Sequence, residues 1–384
     1  MLTRNAAIAG VGATRYTKNS GRSELAMAIE AIGACLADAG MSAGEVDGFS
    51  TFGMQRVSEL DLQSNLRMSD LRFLARTPYG GGGGCATIGM AALAVRSGQA
   101  SAVLAFRSLN SSSGVKFGGG ELQPPPEVGD QTLYDAVGLR TPAARVGITA
   151  TRYLHEYGLD DTAFWPVAHN ARTYAYSNPR AHFYQRALTF EDYVAEPYVS
   201  RPLRRPDCCQ ETDGAVAILI TNVERAKHAR RRPVIIKAAA QSAGPGQGPL
   251  AQYWSDDILR LPEVPGLKQQ LEQQAGFPVT DVDGAMFYDH FAPLILLQLE
   301  QFGFCNPGEG SDFIARGETR LDGSLPLNTH GGHLGEAYLH GMNAIFEAVQ
   351  QLRGQAINQI PDPKNILVTS AAGAPSSALI LGCD

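Results

Sequence analysis

A run of five glycines, Gly80 to Gly84, stands directly before a helix of small residues, and this segment constrains the fold more than any other. The helix is predicted from Cys85 to Arg96 and ends at Ser97-Gly98, and an apolar strand follows at Ala102 to Phe106. Alanine and glycine allow other elements to approach a helix closely from several sides. The segment therefore predicts a buried helix at the centre of the protein.

The rest of the chain repeats one order of strands and helices. A strand at 5–12 precedes a helix from Glu24 to Ala39, which Ser23 caps and Gly40 stops. The later part has strands and helices at 213–221, 234–246, 265–276, 284–288, 294–302 and 365–370, with a further helix after Tyr338. Two pseudo-repeated halves with buried sheets, an α/β architecture, are the prediction.

The glycines of Gly10-Val-Gly12 follow the first strand, as in a dinucleotide fingerprint. The third glycine of that fingerprint is missing and the helix does not open on the turn, so nucleotide binding is not predicted.

Between residues 107 and 206 the composition changes to clustered aromatic, proline and polar residues. Such a segment is typical of an insertion that covers a site and sets substrate selectivity. We therefore divide the chain into an N-terminal half at 1–106 plus 207–230, a cap at 107–206 and a C-terminal half at 231–384.

Charge and hydropathy exclude several classes of function. The net charge of −6 makes nucleic acid an unlikely partner, and the basic run from Arg225 to Arg232 is typical of a solvated linker. No stretch of about 18 apolar residues predicts a membrane span, and no signal core is recognisable at the start. The six cysteines lack metal-site spacing, so a reducing cytoplasm is expected.

Two tyrosines lie where a polar turn leads into an apolar helix. Tyr288 is part of Phe-Tyr-Asp-His-Phe-Ala-Pro, and Tyr338 ends the run Asn-Thr-His-Gly-Gly-His-Leu-Gly-Glu-Ala-Tyr. Side chains at such junctions can project from helix N-termini into one cavity. We predict that both side chains face one shared cavity.

Over essentially its whole length the chain resembles the thiolase superfamily, in particular the sterol-carrier and lipid-transfer branch. The resemblance depends on the glycine run with its helix, on Asp213-Gly214-Ala215, on the two tyrosine motifs, and on Thr369 to Gly373. It implies the thiolase fold, in which two pseudo-repeated halves form α/β/α/β/α layers with a long cap insertion.

The resemblance also shows which catalytic residues have changed. The nucleophilic cysteine of thiolases falls on Gly81, the asparagine or histidine of a second motif on Tyr288, the histidine of a third on Tyr338, and the second cysteine on Ser370. A Claisen condensation needs a thiolate and a base, so thiolysis is disfavoured. Cys85, one helical turn later, stays open as a displaced nucleophile of an acyltransferase, although a small buried residue is the commoner role.

The paired tyrosines are similar to those of thiolase-fold aldolases that cleave steroid side chains. That resemblance implies a retro-aldol reaction on a β-hydroxyacyl-CoA that releases a 17-ketosteroid and propionyl-CoA, with Tyr288 and Tyr338 exchanging protons. It further implies a homodimer that pairs through Ala102 to Phe106, and a small partner protein with an OB fold and a zinc ribbon. A non-catalytic acyl-CoA or sterol-binding protein is the remaining alternative.

Supporting roles complete the prediction. No cofactor is expected, because the substrate itself carries coenzyme A, and no metal is expected, because His330, His333 and His340 are spread over a glycine turn. Four residues are candidates to tune the tyrosines, and four backbone amides are candidates to hold an enolate oxygen. The tuning candidates are Asp289, His290, His330 and His340, and the amide candidates are Gly81, Gly82, Gly83 and Gly373.

Overall fold

The computed structural model of the chain describes residues 6–78, 80–114, 134, 136–248 and 255–383. Parts of the predicted cap, at 115–133 and 135, and the predicted strand residue Asn5 lie outside the described residues. Within the described part, no helix combines the length and apolar character that crossing a membrane requires.

Nine strands form one mixed sheet, and two more form a small hairpin. The order across the large sheet is β3-β2-β4-β7-β1-β8-β11-β10-β9, and the hairpin is β5-β6. The strands are β1 (Ala6–Ala13), β2 (Gly48–Phe52), β3 (Phe73–Thr77), β4 (Ala102–Asn110), β5 (Tyr198–Ser200), β6 (Leu203–Arg204), β7 (Asp213–Asn222), β8 (Val234–Ser242), β9 (Gly284–Met286), β10 (Asn365–Ser370) and β11 (Ser376–Gly382).

The predicted repetition of two halves is confirmed by the strand order. When the strands of the large sheet are counted within each half, their order is second, fourth, fifth and first. In the N-terminal half these strands are β2, β4, β7 and β1, and in the C-terminal half they are β9, β10, β11 and β8. The third strand of the C-terminal half is reduced to an isolated parallel bridge between Ala285 and Leu327. The halves join where Ala7 and Ile8 of β1 pair with β8. The prediction that β10 is the last strand is wrong, since β11 follows and pairs between β10 and β8.

The helices are named here in chain order. They are α1 (Glu24–Ala39), α2 (Glu59–Leu66), α3 (Gly84–Arg96), α4 (Pro142–Tyr157), α5 (Trp165–Ser177), α6 (Phe190–Ala195), α7 (Val223–Ala226), α8 (Val264–Ala275), α9 (Ala292–Phe302), α10 (Gly310–Ala315), α11 (Gly332–Gly335) and α12 (Met342–Leu352).

The helices and the two halves of the large sheet form five layers, with helices between the halves and on both outer faces. Helices α3 and α12 share one apolar core with strands of both halves, including Ile88, Ile345, Val216 and Leu379. Helix α1 covers the outer face of the N-terminal half, and α8 and α9 cover that of the C-terminal half. The small-residue helix is therefore central, as predicted, because it must pack against both half-sheets at once.

The glycines of β1 serve close packing. A Cβ at Gly10 would overlap the carbonyl oxygen of Cys35, and one at Gly12 would overlap that of Ala31. Both contacts are with α1, so the two glycines allow this helix to lie directly on the strand.

The described part of the cap region packs mainly on the C-terminal half. The hydroxyl of Tyr153 in α4 donates to Glu300 of α9 over 2.5 Å. Helix α5 lies against α11 so closely that a Cβ at Gly331 would come within 2.8 Å of Ala175. After α5, the amide of His182 donates to the carbonyl oxygen of Glu336 over 2.9 Å. The cap thereby holds the turn that leads to Tyr338.

One predicted subunit contact is wrong. The strand Ala102–Phe106 is the first part of β4, which lies between β2 and β7 and pairs with both. Its backbone groups are already used, so it cannot pair with a second subunit. The N-terminal half ends instead at β3, which pairs with β2 only.

Candidate active site

Tyr288 lies in the connection between β9 and α9. Its backbone amide donates to Thr369 Oγ1 over 3.0 Å, and its carbonyl oxygen accepts from Gln298 Nε2 over 3.1 Å. These contacts tie the residue to β10 and α9, and only 2% of the residue is exposed. The backbone is thus held on both sides, so the position of the ring is determined by buried contacts.

Tyr338 lies between α11 and α12 and is half-buried. Its amide donates to Thr212 Oγ1 over 2.8 Å, just before β7 begins. The following residues His340 and Gly341 have positive φ angles of 52° and 86°, which turn the chain sharply into α12. This turn brings Gly341 against the ring of Tyr288. A Cβ on Gly341 would lie 3.3 Å from that ring.

The two tyrosine hydroxyls meet, as the sequence predicts. They are hydrogen-bonded to each other over 3.0 Å, and their rings are perpendicular with centroids 6.2 Å apart. Burial raises the pKa of both phenols above the ordinary value, and for Tyr288 the nearby Tyr338 adds to the effect. Both phenols are therefore protonated at neutral pH.

The glycine run lies directly beside this pair. Residues 80–83 form a 3-10 turn that leads into α3. A Cβ at Gly81 would overlap the Tyr288 hydroxyl and lie 2.6 Å from its Cζ. The tyrosine hydroxyl therefore occupies the space that a side chain at residue 81 would need.

Cys85 is unsuited to the displaced nucleophile that its place in the sequence suggested. It is 1% exposed, and burial raises the pKa of its thiol to about 12. Its amide donates to Ser370 Oγ over 2.7 Å, and that of Ala86 donates to Ser377 Oγ over 2.9 Å. Serines of β10 and β11 thus accept hydrogen bonds from the first backbone amides of α3, and the thiol remains in the core.

Asp289 does not cap α9, whose N-cap residue is Phe291. It instead binds the α11 turn: its carboxylate accepts the backbone amides of His333 over 2.7 Å and Leu334 over 3.3 Å. The same carboxylate lies 2.6 Å from Nδ1 of His333. The ring of His333 contacts both tyrosines, with centroids 4.5 Å from Tyr288 and 5.5 Å from Tyr338.

Two of the predicted tuning histidines surround the tyrosines as neutral groups. His290 packs on Tyr288 with ring centroids 5.0 Å apart, and burial lowers its pKa to about 3. His340 packs on Tyr338 at 5.1 Å, and burial together with Arg107 lowers its pKa far below the usual value. Any influence on the phenols is therefore that of uncharged imidazoles.

His330 has a different environment. It is buried 3.9 Å from Glu336, and burial lowers its pKa to about 3. Within the described residues, no three histidine, cysteine or acidic side chains are arranged to hold a metal ion.

Gly373 is excluded as an oxyanion donor in this conformation. Its amide donates to the carboxyl group of Glu263 over 2.8 Å, so the earlier expectation for this residue is wrong. The backbone amide of Gly373 is therefore already hydrogen-bonded to a buried carboxyl group. Gly81 lies beside Tyr288.

Sequence reasoning missed two residues of this site. His333 was considered only as a metal ligand, and its contact with Asp289 depends on a turn that the sequence does not position. Arg107 is fully buried, and its Nε lies 3.1 Å from Nδ1 of His340. The sequence carried a signal for Arg107, because a charged residue directly follows the apolar run Ala-Val-Leu-Ala-Phe.

The layered fold, with the paired tyrosines beside the glycine run, defines a protein of the thiolase superfamily. Residues 268–382 match the family described as thiolase C-terminal domain-like. The chain is 46% identical, over 100% of both proteins, to a 17-hydroxy-3-oxo-4-pregnene-20-carboxyl-CoA lyase of Mycobacterium tuberculosis. It is also 46% identical to a steroid side-chain-cleaving aldolase of Thermomonospora curvata, over 100% of this chain and 99% of that protein. It belongs to the family of these aldolases.

A solved structure supports the same conclusion. An Ltp2-ChsH2(DUF35) aldolase superposes with a TM-score of 0.94 at 45% identity, covering 100% of this chain and 99% of that one. The fold class predicted from the sequence is thus confirmed.

Proposed function

We propose that the chain is a carbon–carbon lyase that cleaves a steroid side chain by a retro-aldol reaction. The substrate is a β-hydroxyacyl-CoA of the 17-hydroxy steroid-22-oyl type, and the products are a 17-ketosteroid and propionyl-CoA. The observation that carries the proposal is the pair of hydroxyls of Tyr288 and Tyr338, 3.0 Å apart beside Gly81. The names of the two relatives at 46% identity agree with this reaction.

The reaction needs proton transfer but no covalent intermediate. The tertiary alcohol loses its proton, the Cα–Cβ bond breaks, and the electron pair forms a thioester enolate that takes up a proton at carbon. Tyr288 and Tyr338 are the groups that accept the first proton and deliver the second. Backbone amides of Gly81, Gly82 and Gly83 are proposed to hold the enolate oxygen. No cofactor beyond the coenzyme A of the substrate is required.

Surrounding residues are proposed to tune this pair. Asp289 acts through the α11 turn, and His290 and His340 act as neutral rings against the phenols. His330 supports the same turn from the core. The cap at 107–206 is proposed to line the acyl pocket, which its packing against the α11 turn supports.

The acyltransferase alternative is disfavoured, because the Cys85 thiol is buried and its pKa is raised to about 12. A nucleophilic thiol must be ionised and accessible.

The proposed assembly is a homodimer with a small OB-fold and zinc-ribbon partner. The name of the aligned Ltp2-ChsH2(DUF35) aldolase combines two proteins, which supports a partner of this kind. Co-expression with an adjacent reading frame, followed by light scattering, tests this part of the proposal.

A direct assay tests the function. The full-length chain, with its partner if the chain alone is inactive, is incubated with a 17-hydroxy steroid-22-oyl-CoA. Mass spectrometry should detect the 17-ketosteroid and propionyl-CoA in equal amounts. Binding of the substrate without any product would instead favour the sterol-binding alternative. Thiol-dependent acyl transfer would favour the acyltransferase.

A further inference from the structure

A buried carboxylate–imidazole pair lies beside the two tyrosines, and the reaction as proposed so far gives its imidazole no part. Asp289 and His333 are 1% and 0% exposed, with Oδ1 and Nδ1 2.6 Å apart. The Asp289 carboxylate also accepts two backbone amides, so it acts purely as an acceptor. In the tautomer that fits this contact, Nδ1 carries the proton and Nε2 presents a lone pair.

Nothing in the described part of the chain donates to that lone pair. His333 Nε2 is buried and has no hydrogen-bond partner among the described residues. The ring lies against the rings of Tyr288 and Tyr338, so this acceptor belongs to the same buried cluster as the two phenols. A buried acceptor without a donor is unfavourable and rare, which indicates that a ligand or a water supplies the donor.

The phenols need such an acceptor. Burial raises the pKa of both, so both are protonated at neutral pH. A protonated phenol can accept the alcohol proton only while it passes its own proton on. The pair therefore requires a base behind it.

The other groups that face the pair are less suited to this task. His340 Nδ1 faces the Arg107 guanidinium at 3.1 Å, and His330 lies 3.9 Å from its nearest carboxylate, on Glu336. His290 has a pKa lowered to about 3 by burial, and burial raises the pKa of the neighbouring Cys209 thiol. Among these histidines, His333 is the one with a ring nitrogen within hydrogen-bond distance of a carboxylate, Asp289 Oδ1 at 2.6 Å.

We propose that His333, held by Asp289, is a positioning residue of the cleavage that acts through the tyrosines and stores the transferred proton at Nε2. The inference rests on the retro-aldol function proposed above. The substrate O–H bond breaks and its proton moves to a phenol oxygen. At the same time the proton of the tyrosine pair moves through one bridging water molecule to Nε2. The Cα–Cβ bond then breaks to give the enolate. The stored proton returns through the phenols to the enolate carbon, so no proton is gained or lost.

The variant His333→Asn tests this role. An asparagine amide can replace Nδ1 as the donor to Asp289, but it has no atom in the place of Nε2. We expect kcat to fall by about 10²- to 10⁴-fold with little change in KM, since a proton-transfer group is lost. The matched control is His228→Asn, at an exposed histidine that follows α7 and lies outside both the cap and the site. This control should keep wild-type kinetics.

Two further readouts separate proton storage from a merely structural role. The pH profile of kcat should change in His333→Asn, because asparagine has no ring nitrogen that can take up the transferred proton. Added imidazole should partly restore the rate of His333→Ala but not that of Tyr338→Phe. Wild-type kcat in His333→Asn, or a folded His333→Ala that imidazole does not rescue, would overturn the inference alone. If the wild-type protein cleaves no substrate, the proposed function fails and the inference fails with it.

Discussion

A side chain at residue 81 and the phenol of Tyr288 would need the same space. A methyl group at residue 81 would overlap the tyrosine hydroxyl, so in this packing the site holds either a side chain at 81 or a phenol at 288.

This competition predicts the effect of Gly81→Ala. We expect cleavage to fall by about 10²-fold, because a displacement of Tyr288 by roughly 1 Å misplaces the hydroxyl. Overpacking should lower the free energy of unfolding by about 1–3 kcal/mol. The control is Gly33→Ala on α1, where a Cβ meets nothing within 4 Å. That change should raise stability by about 0.5–1 kcal/mol and leave activity unaltered. Equal activities for the two variants would contradict the steric argument.

The tyrosines themselves predict a separation of rate from stability. Tyr288→Phe and Tyr338→Phe should each lower kcat by about 10²- to 10⁴-fold. Loss of their mutual hydrogen bond should cost only about 0.5–1.5 kcal/mol in unfolding free energy. Steady-state kinetics and denaturant titration measure the two effects. Cys85→Ala should stay active, and an inactive cysteine variant beside active phenylalanine variants would reverse the assignment.

At the scale of elements, β3 is the unpaired edge of the N-terminal half-sheet. It is short, and Leu74 on this strand is 54% exposed. The nearby side chains of Leu60 on α2 and Leu93 on α3 are 64% and 46% exposed. An exposed edge with apolar neighbours favours pairing with an identical edge.

We therefore expect dimerisation through β3, and Leu74→Lys should weaken it. A charge at the centre of an apolar interface is costly, so the mass in solution should shift towards the monomer. Ile357→Lys, at a residue 59% exposed elsewhere, is the matched control. Light scattering over a range of concentrations measures both variants. A Leu74→Lys protein that remains fully dimeric would place the interface elsewhere.

At the scale of the whole molecule, buried carboxyl groups make stability depend on pH. Burial raises the pKa of Glu336 to about 8, and that of Glu263 and Asp207 to about 7. A carboxyl group whose pKa is raised on folding stabilises the protein below its unfolded pKa of roughly 4.5, and this contribution is lost as pH rises through the folded pKa.

The buried histidines act in the opposite direction at lower pH. His290 and His330 have pKa values lowered to about 3, so stability falls as pH drops below roughly 6.5 and the unfolded state takes up protons. From pH 6.5 to about 8 the carboxyl groups dominate. We expect Tm to decline over this range in calorimetry, and Glu336→Gln to make the decline shallower. A Tm that rises across the same range would refute the argument.

Local patterns in the sequence predicted several of the central strands and helices. The helix from Glu24 to Ala39 ends where Ser23 and Gly40 predict, because capping residues act within a few positions of the helix end. The strand Asn365–Ser370 also has its predicted bounds. The five-glycine run correctly predicts a central helix, since small side chains leave room for both half-sheets.

Contacts between distant segments required the tertiary structure. Strand β11 was missed because its neighbour β8 lies more than a hundred residues earlier, and the place of β4 inside the sheet depends on β2 and β7. The meeting of Tyr288 and Tyr338 was predicted through a family resemblance. The contact of Asp289 with His333 and the capture of the Gly373 amide by Glu263 were not. Residue type and spacing determine local conformation, whereas hydrogen bonds across the core are decided only when packing brings distant residues together.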